Sequence, residues 1–287
     1  VRVLNKQTRA YSEYKAKLIF LNAGAFNSTW ILMNSKSERF PNGMGNDSGE
    51  LGHNAMDHYI GGGASAETDL FSDKYYKGRR PNGIYIPRFQ NLEQDSKNRN
   101  YLRGFQFQGR GSRAAWWRTI PEASYGLDLK NELLQPGKWQ IGIMGLGEML
   151  PRHENKISLH PIQKDQYGLP ILEMDVAWGE NEINMGQDMI AEAMDILQKG
   201  GLQNVQAVQS NAIPASSVHE MGTARMGRDP KTSVLNKWNQ IHAVKNVFVT
   251  DGACMTSSAC QNPSLTYMAL TARAANYAVE QLKKGEL

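Results

Sequence analysis

The chain has 287 residues, 40% of them hydrophobic and 21% charged, with a formal net charge of +4. That length suffices for one large domain or two ordinary ones, each with a core of its own. The small, evenly spread charge gives nucleic-acid binding no support, and no run of about 18 apolar residues is present to form a transmembrane helix.

The amino terminus, Val1-Arg2-Val3-Leu4, has no initiator Met, no basic leader and no long apolar segment, so it does not read as a signal peptide. It reads as the interior of a strand running through a polar turn into a second strand. The expectation is a fragment, or a processed or trimmed form of a longer protein. Lys17-Leu18-Ile19-Phe20-Leu21 then forms a short apolar run ending at Asn22-Ala23-Gly24, which suits a buried strand. Asn27-Ser28 is expected to cap a helix through Trp30-Ile31-Leu32-Met33. Strand, glycine turn and helix make half of a βαβ unit. Residues 41–52, rich in Gly, Asn, Asp and Ser, read as an exposed loop, and Gly61-Gly62-Gly63 as another.

From about Ile60 to Ile171 short alternating or aromatic runs recur: residues 83–86, 102–108, 139–143 and 156–159. Punctuated by Gly and Pro, they predict an antiparallel sheet and a second domain. Residues 181–199 form the clearest amphipathic helix of the middle region, with Ile183, Met189, Ile190, Ala193, Ile196 and Leu197 on one face and Gly200-Gly201 at its end. The chain then returns to the first domain through a loop around His219, a strand at 247–250 and a last helix. That helix is expected to bury Leu265, Met268, Ala272, Ala275, Val279 and Leu282, with Lys283-Lys284 at its negative pole. The fold class is α/β (α+β), with boundaries at 1–59, 60–211 and 212–287. Cys254 and Cys260 are too few for a disulfide framework and read as buried thiols.

Three features near the carboxyl end carry chemistry. His219 lies in a loop before Gly222 and Gly227, and an imidazole is the natural acceptor of an alcohol proton near neutral pH. Asp251-Gly252 closes a buried strand, where open α/β sheets bind ligands, although for an isolated Asp-Gly a plain turn is the better account. Asn262-Pro263 starts the last helix, Asn as cap and Pro in the first turn. A helix start also offers free N–H groups and partial positive charge to an anionic ligand.

In order, His219-x-x-Gly222-Thr223-x-x-Met226-Gly227, Val247-x-Val249-x-Asp251-Gly252 and Asn262-Pro263-x-Leu265-Thr266 resemble the carboxy-terminal half of the glucose–methanol–choline (GMC) oxidoreductases. Residues 16–24 with Asn27-Ser28, and Gly52-His53-Asn54-x-Met56-Asp57-His58, resemble upstream family segments. The departures are Ser28-Thr29 where the family has Ser-Pro and His53 where Arg is common.

The resemblance implies an FAD-dependent enzyme with a partial FAD-binding, Rossmann-like domain and a substrate domain built on an antiparallel sheet flanked by helices. It implies that His219 is the base for a substrate hydroxyl, that Asn262 hydrogen-bonds the same oxygen, and that hydride passes to flavin N5. Ala23, Gly24, Asp251, Gly252 and Pro263 are implied to line the FAD. The wording of the carboxy-terminal segments is most like bacterial sugar and glucoside dehydrogenases. A sugar or glycoside substrate is therefore implied, with a cytochrome, quinone or oxygen as electron acceptor; the compartment stays open between the periplasm and cytoplasm of a bacterium, the resemblance leaning to the periplasm. No Gly-x-Gly-x-x-Gly is present, so the family's dinucleotide fingerprint belongs to an amino-terminal half that this chain lacks.

Other readings are weaker. His53, Asp57 and His58 have poor spacing for a metal site, and Gly63-Ala64-Ser65-Ala66-Glu67 fails as a hydrolase elbow. Trp116-Trp117 with Arg110, Arg113, Gln106 and Gln108 reads either as a sugar-lining cluster or as a sheet packing on its own aromatics. A non-catalytic carbohydrate-binding fragment and an oxidase of a non-sugar alcohol stay open.

Overall fold

The structure, a computed structural model, describes residues 1–74, 83–92, 99–113, 125–134 and 137–287; Trp116 and Trp117 lie outside the described residues. The chain divides into two units, one of residues 1–58, 149–178 and 213–287, the other of residues 59–148 and 179–212.

In the first unit, an apolar alternation builds two layers around a small sheet. The strand Val244–Val249 runs parallel to Ile19–Leu21, pairing Val247 with Ile19 and Val249 with Leu21, and Gln240–Ile241 pairs antiparallel on its other edge. Successive strand side chains point to opposite faces. Val247 and Val249 accordingly join Leu32, Met33, Leu51, Ile157, Leu235 and Ile241 in one core, while Phe248 joins Ala274 and Ala278 in another. Phe248 stacks on Phe20 with ring centroids 5.0 Å apart. The first core is covered by the helix Ala25–Asn34 and the second by Ser264–Lys284.

Four expectations are corrected here. The first helix begins at Ala25 with Gly24, not Asn27-Ser28, at its N-cap; the Ser28 hydroxyl instead accepts from Ala23 N–H at 2.9 Å. Residues 149–178 belong to the first unit, not to the second domain. They form the hairpin Lys156–Lys164 with Pro170–Asp175, held by buried Ile157, whose N–H donates to the Gly52 carbonyl at 2.9 Å. A strand pattern gives the element but not the sheet it joins. Gly62 and Gly63 are not loop but the start of the strand Gly62–Thr68, where a Cβ on Gly63 would collide with the Ile143 carbonyl. The last helix turns its larger apolar stripe outward: Leu265 is 77% exposed, Met268 67% and Val279 46%, while Ala274 and Ala278 are the buried positions. Small side chains let that helix lie close to Phe248.

The second unit is the expected antiparallel sheet. Its strands run in the order Gln203–Gln209, Gly62–Thr68, Trp139–Glu148, Phe105–Arg113, Gly83–Ile86, all neighbours antiparallel. The helix Glu180–Lys199 lies against it, with Met189 over Gly145 and Met185 over Gly147. Its Ile183, expected inside, is exposed, and Glu182 is buried because its carboxylate accepts from Gly179 N–H at 2.7 Å. Phe105 and Phe107 are fully buried. Arg113, one of the candidate sugar contacts, donates to the Gly137 and Ser72 carbonyls at 2.7 Å each and so braces the sheet. Gln106, next in register to buried Phe105 and Phe107, is also buried, with neither amide atom hydrogen-bonded.

Candidate active site

The segment after His219 is held between two others by backbone bonds. Met221 exchanges bonds with Met56 at 2.8 and 2.9 Å, Gly222 N–H donates to Gly252 O at 3.0 Å, Thr223 to His53 O at 3.1 Å and Ala224 to Ala253 O at 3.0 Å. This explains the glycine and its neighbour. Gly222 has φ +80° and a Cβ there would meet the Asn54 carbonyl. Thr223, fully buried, also takes a left-handed φ of +71°; its hydroxyl lies 2.7 Å from that of Thr29. Val218 has φ +63° and is exposed. Two β-branched residues in the left-handed region one and four positions from one histidine are costly, and such strain collects at functional sites.

His219 and Asn262, distant in sequence, come together: Asn262 Nδ2 is 3.4 Å from His219 Nε2. The other ring nitrogen of His219, Nδ1, is 3.0 Å from Nδ1 of His58, with the two rings edge-on at 4.8 Å. His58 is buried, and its pKa is lowered to about 4, first by burial, then by the neighbouring His219, against the pull of Asp57 and the Ala259 carbonyl. The Asp57 carboxylate accepts from Ser217 N–H at 2.7 Å, from the Ser217 hydroxyl, and from His58 N–H at 2.7 Å. Asp57 thus fastens the loop two residues before His219, and His58 meets the ring itself. In the sequence this pair stands out as part of the family-like segment and as poorly spaced metal ligands, with no sign of its contact to Ser217. The available signal was an Asp-His dipeptide adjoining an apolar strand. His53, the third residue of that weighed cluster, is engaged elsewhere: it stacks on His153 at 4.0 Å and its Nδ1 is 2.7 Å from the His153 carbonyl.

The residues expected along a cofactor form a second cluster in the same unit. Asp251 Oδ2 accepts from Gly24 N–H at 3.0 Å and from the Ser28 hydroxyl at 2.5 Å, and its Oδ1 accepts from Ala253 N–H at 3.0 Å. Burial raises the Asp251 pKa and these hydrogen bonds oppose the rise. Gly252 is required by the chain itself, since a Cβ would strike the Glu220 carbonyl beside His219. Gly24 differs: it has φ +89° and nothing lies within 4 Å of where its Cβ would be. Pro263 is buried at the N-cap of the last helix, and Asn262 turns toward His219 rather than capping. Neither helix start, at Gly24 or Pro263, has a side-chain cap, and the Tyr267 hydroxyl is buried without a hydrogen-bond partner. Two uncapped helix starts, one behind an open glycine turn, are a donor set suited to an anionic dinucleotide such as FAD.

A family model described as GMC oxidoreductase matches residues 151–271, which hold His219, Asp251-Gly252 and Asn262. Over residues 151–271 the chain therefore carries the sequence pattern of the GMC oxidoreductases. It is 30% identical over 282 residues to 2-methyl-1,2-propanediol dehydrogenase of Mycolicibacterium austroafricanum, covering 96% of this chain and 50% of that protein. It is 27% identical over 274 residues to the fructose dehydrogenase large subunit of Gluconobacter japonicus, covering 94% of this chain and 48% of that one. The chain therefore spans about half the length of these curated relatives. Among solved structures, formate oxidase of Aspergillus oryzae RIB40 matches its fold with a TM-score of 0.65 at 14% identity, over 99% of this chain and 57% of that one. The relatives are oxidoreductases acting on alcohol CH–OH groups, and FAD is the cofactor of the GMC family.

Proposed function

We propose that the protein carrying this chain oxidises a carbinol of a sugar or glycoside with FAD. The observation that carries this reading is the convergence of His219 Nε2 and Asn262 Nδ2 at 3.4 Å. A hydroxyl oxygen placed at that pair can give its proton to His219 Nε2 while accepting from the Asn262 amide. His219 is then the general base, and Asn262 holds the oxygen so that the carbinol C–H keeps one orientation, a requirement of any aligned transfer. Gly24, Ala23 and Asp251 with the uncapped helix starts would hold the FAD, which when bound supplies the two-electron acceptor. The half of the relatives' length that this chain does not span would supply the remaining cofactor contacts and cover the outward stripe of Leu265, Met268 and Val279.

A sugar is favoured by the fructose dehydrogenase likeness; the likeness to a propanediol dehydrogenase favours a small diol as the second reading. Anaerobic flavin reduction in the full-length protein, with a panel of sugars, glycosides and 1,2-diols, separates them. His219→Ala is expected to slow reduction by roughly two or more orders of magnitude, the usual range for losing an acid–base group. An unchanged rate removes His219 from this role. Asn262→Ala is expected to cost less and to leave flavin affinity intact.

A further inference from the structure

His58 is a buried histidine that touches the base and has no task in the reading above. Its two nitrogens are placed differently. Nδ1 meets Nδ1 of His219 at 3.0 Å. Nε2 is buried and has no hydrogen-bond partner among the described residues.

Two Nδ1 atoms share a hydrogen bond only if one carries a proton and the other a lone pair. The Asn262 amide nitrogen, 3.4 Å from His219 Nε2, can only donate, so His219 Nε2 carries the lone pair and Nδ1 the proton. His58 Nδ1 is then the acceptor, and His219 Nδ1–H the donor. That puts the single proton of neutral His58 on Nε2. The line runs in one direction: Asn262 donates to His219, and His219 to His58. The opposite choice would set the Nε2–H of His219 against the Asn262 N–H.

We propose that His58 is a positioning residue that fixes His219 in the Nδ1–H tautomer, leaving Nε2 as its basic nitrogen. The proposal rests on the reading of His219 as the base. It accounts for the residue type: a histidine free in water prefers its proton on Nε2, which would leave the nitrogen beside Asn262 unable to accept. It also accounts for the burial. At 2% exposure a carboxylate would be a costly buried charge, whereas a neutral imidazole accepts the same hydrogen bond without one. Desolvation and the adjacent His219 keep His58 neutral when His219 gains a proton, so the proton stops at His219 and is not relayed inward. Asp57 supports the arrangement by holding Ser217 and the His58 N–H on one carboxylate.

The test is nitrogen-15 NMR of the histidine-labelled full-length flavoprotein at neutral pH, with the His219 signals assigned by their loss in His219→Gln. Wild type is expected to show His219 Nδ1 protonated and Nε2 bare. In His58→Leu the proton is expected to move largely to Nε2 and flavin reduction to slow about five- to tenfold, because only the minor tautomer then reacts. His58→Gln keeps an acceptor oxygen and is expected to restore the Nδ1–H signature and most of the rate. A wild-type His219 protonated at Nε2, an unmoved tautomer in His58→Leu, or a Gln variant that behaves as Leu does would each overturn the proposal. Should His58→Leu fail to fold, the wild-type and Gln spectra decide. If the tautomer moves as expected while His219→Ala reduces flavin at the normal rate, the role of His58 stands and the base assignment falls.

Discussion

At the scale of single residues, the site is a set of close approaches that only certain side chains permit. Gly252 faces the Glu220 carbonyl and Gly222 the Asn54 carbonyl, so both glycines serve the placement of His219. Gly252→Ala is expected to destabilise the fold by about 1–3 kcal/mol through overpacking and to slow flavin reduction by shifting the loop; urea melts and stopped-flow spectra of one preparation measure both. His58 gives a pH signature. Its pKa is about 4 in the fold against 6.5 when exposed, so below pH 6.5 the unfolded chain takes up a proton that the folded chain refuses. Stability is therefore complete above about 6.5 and falls as the pH drops toward 4, by on the order of 3 kcal/mol. The groups facing this imidazole are His219, Asp57 and the Ala259 carbonyl. His58→Gln is expected to flatten that part of the stability curve relative to wild type, and parallel curves would count against a buried neutral imidazole. His219 and Asn262 were legible in the sequence because their motif is long and ordered. The contacts of Asp57 and His58 with Ser217 and His219 were not, because a hydrogen bond between residues some 160 positions apart leaves no trace in spacing.

At the scale of elements, strands and helices followed from alternation and glycine punctuation, and the misses have one cause: a pattern names a buried face without naming what buries it. The last helix shows this. Its stripe of Leu265, Met268 and Val279 has the helical spacing of a core face, yet the seam against Phe248 is made by Ala274 and Ala278. In this chain alone, Met268→Ser is expected to change stability by less than about 0.5 kcal/mol, as for surface positions generally. Ala278→Leu is expected to cost about 1–3 kcal/mol, since a close-packed seam has no room for three extra carbons. Denaturant midpoints of the two variants decide which face is the core, and a larger loss for Met268→Ser would reverse the assignment. The hairpin of residues 156–175 teaches the same lesson: its strands were visible, but its attachment through Ile157 to Gly52 was not.

At the scale of the whole molecule, the composition set the class and the order of motifs pointed to the family that residues 151–271 match, while the chain spans about half the length of its curated relatives. On the proposed reading FAD would meet two uncapped helix starts, an open glycine turn at Gly24 and the Asp251 carboxylate, which already accepts from backbone N–H groups. It contains no strand-to-helix Gly-x-Gly-x-x-Gly turn, because no such run exists in the 287 residues. That turn is what brings successive backbone N–H groups against a pyrophosphate. The stripe on the last helix is also left wet, and burying three such side chains is worth about 1.5–3 kcal/mol each. Cofactor binding and helix covering are therefore expected to arrive together when the remaining length is supplied. The isolated chain should purify without flavin absorbance and bind added FAD weakly. Co-expression with the preceding segment of its own reading frame should raise affinity by at least about a hundredfold, equivalent to roughly 2.7 kcal/mol, and should shield Met268 from oxidation. Tight FAD binding by this chain alone would show that the dinucleotide is held by a mode other than a glycine fingerprint.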